Sequence, residues 1–168
     1  MKLQLSFSSF FSNTLLSAVF LFFSATAFAQ PLPVLSNLQQ DQQLAGNERF
    51  LLVLVSQPGC SYCELIEEEI LKPMQISGHY DAKLLFRNLI IHDDRSMTDL
   101  TGIRLDTSEF ARRYGTSLTP TLLFLDPQNS TELVQKMVGI STVEMYGYYV
   151  DKAVAQASDK LQMSSTQP

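Results

Sequence analysis

Residues 49–55, Arg-Phe-Leu-Leu-Val-Leu-Val, make an unbroken β-prone apolar run that Ser56-Gln57-Pro58-Gly59 ends abruptly. A strand without polar alternation has no face to give to water, so it must lie between two covering layers. A helical pattern starts directly afterwards at Ser61, with Ile66, Ile70 and Met74 four apart on one side. On this reading Glu67, Glu68 and Glu69 mostly face water. Pro73 is expected to end or kink the helix, because it lacks an amide hydrogen and crowds the preceding turn.

The rest of the chain keeps alternating. Residues 37–45 read as a helix closed by Gly46, and 82–91 as the next strand. Residues 92–106 carry no clear element, and at about 15 residues they exceed the usual loop median of ~4–6. A short helix over 107–114 opens with Asp106 or Thr107 as N-cap and stops at Gly115. Residues 119–125 and 133–138 read as strands around the turn Asp126-Pro127-Gln128-Asn129. Val143, Tyr146, Val150, Ala153, Val154 and Ala157 give the last helix its 3.6-residue period. Helices between strands imply crossovers, and the late strand-turn-strand implies a hairpin. The expectation is one α/β domain over 37–157, a central mixed sheet of about four strands flanked by helices. Residues 30–36 are expected as a flexible lead and 158–168 as a polar, frayed tail.

Residues 1–29 have the makeup of a cleaved signal peptide. Lys2 supplies the positive end, 15–23 is nearly continuously apolar, and Ala27-Phe28-Ala29 offers the small-x-small site, with cleavage before Gln30. The competing reading is a retained anchor, for which 14–28 is short against the ~20 residues of a spanning helix. No second run of spanning length follows, so no stable membrane insertion is expected after cleavage. Removing 1–29 leaves eleven basic residues against 17 acidic ones, a net charge of −6 where the whole chain has −5. That balance disfavours nucleic acid and anionic membrane as partners.

The only two cysteines, Cys60 and Cys63, stand three apart in a chain addressed to an oxidising compartment. Disulfide exchange needs a thiolate, an accessible face and a second sulfur near enough to expel the bound partner. At a helix start, Cys60 would meet unpaired amides and the positive end of the dipole, lowering its pKa below ~8.5. Cys63, one turn later and more covered, would resolve the mixed disulfide. A purely structural bridge is the weaker alternative, because closing a four-residue loop yields only about 2 kcal/mol against ~4.7 for a hundred-residue loop. A zinc site wants four ligands, and the chain adds only His79 and His92, far from finger-like spacing. No metal and no cofactor beyond the cysteine pair is expected.

Phe110-Ala111-Arg112-Arg113-Tyr114-Gly115 followed by Thr119-Pro120-Thr121-Leu122-Leu123-Phe124 resembles the second signature of the thioredoxin superfamily. With Cys60-Ser61-Tyr62-Cys63 after a buried strand, the likeness covers about residues 37–157. The export address, the insert and the Ser-Tyr dipeptide look most like SoxW-type periplasmic thioredoxin-related proteins. The resemblance implies a periplasmic thiol-disulfide oxidoreductase that reduces protein or small-molecule disulfides and draws electrons from a membrane or periplasmic donor. It also implies a cis Thr119-Pro120 bond facing the cysteines, with the Thr119 backbone pairing with substrate; the alternative is a trans proline at a strand's first residue. Tyr62, between the cysteines, would pack against a partner or simply flank the site.

The chain also departs from the family. Thioredoxins carry a buried carboxylate six residues before the first cysteine, where Leu54 stands, and a Trp just ahead of the motif, where the chain reads Pro58-Gly59. Proton transfer at Cys63 must then use water or another group; Glu64 is one candidate, but its exposure on a helix favours reading it as a solvated residue. A disulfide oxidase or isomerase, and a binding module for a partner or for a copper- or haem-assembly client, remain rival readings. Asp93, Asp94 and Asp99 lack the pattern of a calcium loop and read as solvated. Tyr146 belongs to the apolar stripe; Tyr148 and Tyr149 have no assigned place. The insert over 92–106 is the expected seat of partner choice.

Overall fold

The computed structural model describes residues 30–92 and 94–165. The apolar run becomes β1 (Phe50–Ser56), buried at every position. β1 pairs in parallel with β2 (Leu84–Ile90), from Phe50 opposite Leu84 to Ser56 opposite Ile90. On its other side it pairs antiparallel with β5 (Thr121–Asp126), with Val53 opposite Leu123. β6 (Thr131–Glu132) and β7 (Met137–Val138) both pair antiparallel with β5, completing the order β2-β1-β5-β6 with β7 beside β5.

The strand expected over 133–138 is therefore split. Glu132 lies opposite Leu125 and Met137 opposite Leu122. Five steps on one side thus match three on the other, and the surplus residues leave the ladder as a bulge.

Alternation along β1 sorts the core into two layers. Phe50, Leu52 and Leu54 face one cluster with Ile66, Leu71, Tyr146, Val150 and Val154. Leu51, Val53 and Val55 face the other, with Leu38, Met97, Phe110 and Ala111. Each fully buried side chain of this size contributes about 1.5–3 kcal/mol of transfer free energy, so neither face of β1 can be uncovered without large loss.

α1 (Leu38–Ala45) starts at Asn37, whose Oδ1 accepts hydrogen bonds from the amides of Gln39 and Gln40. The cysteine helix is continuous over 61–76, in three parts: α2 (Ser61–Ile66), a π turn (Glu67–Leu71) and α3 (Lys72–Ile76). Pro73 does not end it. The Lys72 amide donates to the Glu67 carbonyl five residues back, a widened turn just before the proline. There the ring is admitted without the clash that a regular α turn imposes.

Three expectations about ordering are corrected. The 30–36 lead is not a flexible one. Pro33 O accepts from Asn88 N at 2.8 Å and Leu35 N donates to Asn88 O at 2.9 Å, while Leu32 and Leu35 are buried. Two apolar side chains docked on a strand's free hydrogen-bonding side outweigh the Pro-rich composition. The insert holds a hairpin, β3 (Ser96–Thr98) against β4 (Arg104–Asp106), which buries Met97 and Leu105 and binds the lead through Thr98 N to Ser36 O. Finally α5 (Val143–Ser165) continues well past Ala157, because Leu161, four residues on, stays on the apolar stripe and is buried.

α4 (Thr107–Arg113) follows β4 directly. Asp99 organises the insert's turn by accepting from Thr101 N, Thr101 Oγ1, Ile103 N and Arg113 Nη1 at 2.7–3.0 Å. The Thr101 hydroxyl, then Arg113 and the two amides, hold its carboxyl down at about 2 against burial's upward push. No helix among the described residues is long and apolar enough to cross a membrane, and the proposed signal peptide lies outside them.

Candidate active site

The chain leaves β1 through Ser56 and turns at Gly59, whose φ of 72° favours glycine. Cys60 is the N-cap of α2, in extended conformation. Its carbonyl accepts from the amides of Cys63 (3.0 Å) and Glu64 (3.1 Å), and the Cys63 amide also reaches its Sγ at 3.2 Å. Cys60 and Cys63 are joined as a disulfide, with Cα atoms 5.2 Å apart. Cys60 is partly exposed, whereas Cys63 is 4% exposed. The two sulfurs are therefore unequal in access: a partner meets Cys60. Tyr62 stands out beside it, 61% exposed.

The Thr119–Pro120 peptide bond is cis. Val55 lies opposite Thr121, so the chain running from β1 to Cys60 and the chain entering β5 from Pro120 meet at one end of the sheet. Pro120 is buried and Thr119 half-buried, and Gly139 N donates to Pro120 O at 2.8 Å. Leu118, just before, is exposed.

Beneath the cysteine helix lies a polar chain within the apolar layer. Ser56 Oγ donates to Asn88 Oδ1 at 2.6 Å, and Asn88 Nδ2 donates to Glu67 Oε2 at 3.0 Å. Glu67 Oε1 accepts from Leu32 N at 3.0 Å, and Lys72 Nζ stands 4.0 Å from it. Lys72 is itself buried and makes a closer ion pair with Glu68.

Comparison with known families adds the decisive observation: the family model described as a thioredoxin-like domain matches residues 38–153. The chain belongs to this family. A mixed sheet with helices on both faces and a Cys60–Cys63 disulfide at the start of a helix supports thiol-disulfide oxidoreductase chemistry for this thioredoxin-like domain.

Similar solved structures include the thioredoxin Mala s 13 of Malassezia sympodialis, 17% identical, TM-score 0.49, covering 79% of this chain and 98% of that one. Mitochondrial thioredoxin 3 of Saccharomyces cerevisiae is 14% identical, TM-score 0.47, covering 74% and 93%. A Schistosoma mansoni thioredoxin is 20% identical, TM-score 0.44, covering 73% and 98%. A search of curated proteins found no match.

His79 and His92 lie beyond opposite ends of β2 and share no site. His79 packs edge-on against Tyr80 with ring centroids 5.2 Å apart, and half-exposed His92 lies 3.9 Å from Asp94. Among the described residues no three His, Cys, Asp or Glu side chains form a metal-holding group. Tyr146 is buried, and burial raises its phenol pKa, whereas the exposed rings of Tyr148 and Tyr149 meet edge to face. Asp93 lies outside the described residues.

Glu64 is exposed, in the position of a solvated helix residue. The inward carboxylate is Glu67, assigned to water in the sequence reading together with Glu68 and Glu69. One signal was available: Glu67 stands four residues after Cys63, on the same helical face. Asn88, a polar residue inside an otherwise apolar strand, was the other.

Proposed function

We propose that the protein is an exported thiol-disulfide oxidoreductase that reduces partner disulfides, and that the inequality of its two sulfurs carries the reaction. In the reduced protein the Cys60 thiolate attacks a partner disulfide. One partner sulfur leaves as a thiolate and the other stays bonded to Cys60. Cys63 then attacks Cys60 Sγ, the Cys60–partner bond breaks, and the Cys60–Cys63 disulfide forms as the second partner thiolate departs. The dithiol supplies both electrons, so a periplasmic or membrane thiol donor must restore it. Thr119 offers backbone groups beside the cysteines, Pro120 presents no amide hydrogen to the Cys60 thiolate, and Tyr62 flanks the approaching chain.

Export rests on the apolar run and the Ala27-Phe28-Ala29 site. The insert over 92–106 and the Ser61-Tyr62 dipeptide favour the SoxW-type periplasmic group as the nearer likeness. The reductive direction follows from that likeness; a pair potential near ~−270 mV agrees with it, and one near ~−120 mV marks an oxidase.

The test uses Cys63→Ser expressed from the whole chain and recovered from the exported fraction. It is expected to carry partners covalently on Cys60 and to begin at Gln30. Absence of adducts, with cellular and model disulfides alike, would sink the mixed-disulfide route; an intact N-terminal segment would sink the cleaved leader.

A further inference from the structure

The cysteine helix turns a charge toward the sheet as well as apolar groups. Cys63, Ile66 and Leu71 are buried on its inner side, and the Glu67 side chain among them is only 15% exposed. The Glu67 amide donates to the Cys63 carbonyl, so the two residues stand one α-turn apart. That spacing sets Cβ atoms about 5–6 Å apart on one face. Helical side chains lean toward the N-terminus, which tips the carboxylate toward the buried cysteine.

Packing alone gives no reason for this carboxylate. The apolar layer on this side of the sheet includes Leu32, Leu54, Ile66, Leu71 and Phe86, and an uncompensated charge there costs several kcal/mol. The protein instead holds it by design of its neighbours. Ser56 occupies the oxygen of Asn88, which leaves the Asn88 amide nitrogen to donate to Glu67 Oε2. Leu32 N takes the other oxygen, and each oxygen keeps a further lone pair. The charged groups near it are Lys72 at 4.0 Å and, through Lys72, Glu68; β2, β1 and the lead present neutral donors.

We propose that Glu67 accepts the proton of Cys63 during resolution of the mixed disulfide, with Asn88 and Ser56 as positioning residues. This rests on the oxidoreductase reading above. As the Cys63 sulfur bonds to Cys60 Sγ and the Cys60–partner bond breaks, the Cys63 proton passes to the Glu67 carboxylate, directly or through one water. The neutral acid then returns it to solvent or to the departing partner thiolate. The helix thus carries both the resolving sulfur and its base, while the strand position Leu54 is left to the core.

Mixing the reduced full-length mature protein with dithionitrobenzoate separates the two steps. One aryl thiolate is released when Cys60 attacks and a second when Cys63 resolves. In Glu67→Gln the first release is expected to keep its wild-type rate. The second should slow about a hundredfold at neutral pH, the low end of a positioned base's contribution, and recover as pH rises. A second release with the wild-type rate and pH profile overturns the proposal, as does equal slowing of both releases, which marks a structural role. Should Glu67→Gln not fold, Glu67→Asp carries the same comparison: a displaced pH profile for the second release alone supports the proposal, and an unchanged one overturns it. A wild-type protein that releases neither thiolate strikes down the oxidoreductase reading instead.

Discussion

At the scale of single residues, this chain shows how position decides what a carboxylate does. Asp99 is tied by Thr101, Ile103 and Arg113, so its carboxyl titrates near 2 in the folded state against an ordinary 3.8. A depressed folded-state value stabilises the protein above the unfolded value, and that stabilisation is lost as pH falls through the folded one. Asp99→Asn should therefore unfold more easily than wild type above about pH 4, with the gap closing toward pH 2. Urea titrations at several pH values check this; a gap independent of pH would show that the hydrogen bonds matter and the charge does not. Cys60 and Cys63 were legible in the sequence because their chemistry needs only a strand end, a turn and a helix start, all local in sequence. Glu67 and Asn88 were not legible, since their pairing joins residues 21 apart across the helix–sheet interface. The Glu-Glu-Glu run further disguised the one member that turns inward.

Among the elements, long patterned segments were readable and short ones were not. β1, β2, β5, the cysteine helix, α4 and the start of α5 follow from apolar runs, caps and breakers. β3 and β4 have three residues each, too few to display alternation, so their stretch read as a loop. The hairpin instead shows itself through what it buries: Met97, 1% exposed, packs into the layer of Leu38, Val53 and Phe110. Met97→Ala should cost about 2–5 kcal/mol, as for other buried large-to-small changes. Chemical denaturation measures it; a cost under half a kcal/mol, typical of surface changes, would mean that the hairpin is not part of the core. The lead and the end of α5 were misread for a related reason. Their composition is that of tails, yet Leu32 and Leu35 dock the lead and Leu161 docks the end of α5.

Across the whole molecule, the two apolar layers and the sheet carry stability, and the disulfide adds little to them. The bridge closes a loop between residues only three apart, for which chain entropy gives about 2 kcal/mol. Reduction should therefore lower the calorimetric midpoint by several degrees while leaving a single cooperative transition; loss of the transition on reduction would show the bridge to be a structural staple. The covering of β2 by the lead has a consequence of another kind. An uncovered outer strand is a template on which a second chain can polymerise. Here Pro33 and Leu35 occupy both main-chain groups of Asn88, and the far side of the sheet ends in pieces of two residues. One edge is capped at Asn88 and the other is broken into short pieces. A second copy of the chain therefore meets a capped or broken ladder at these two edges, which guards the sheet against growing strand upon strand.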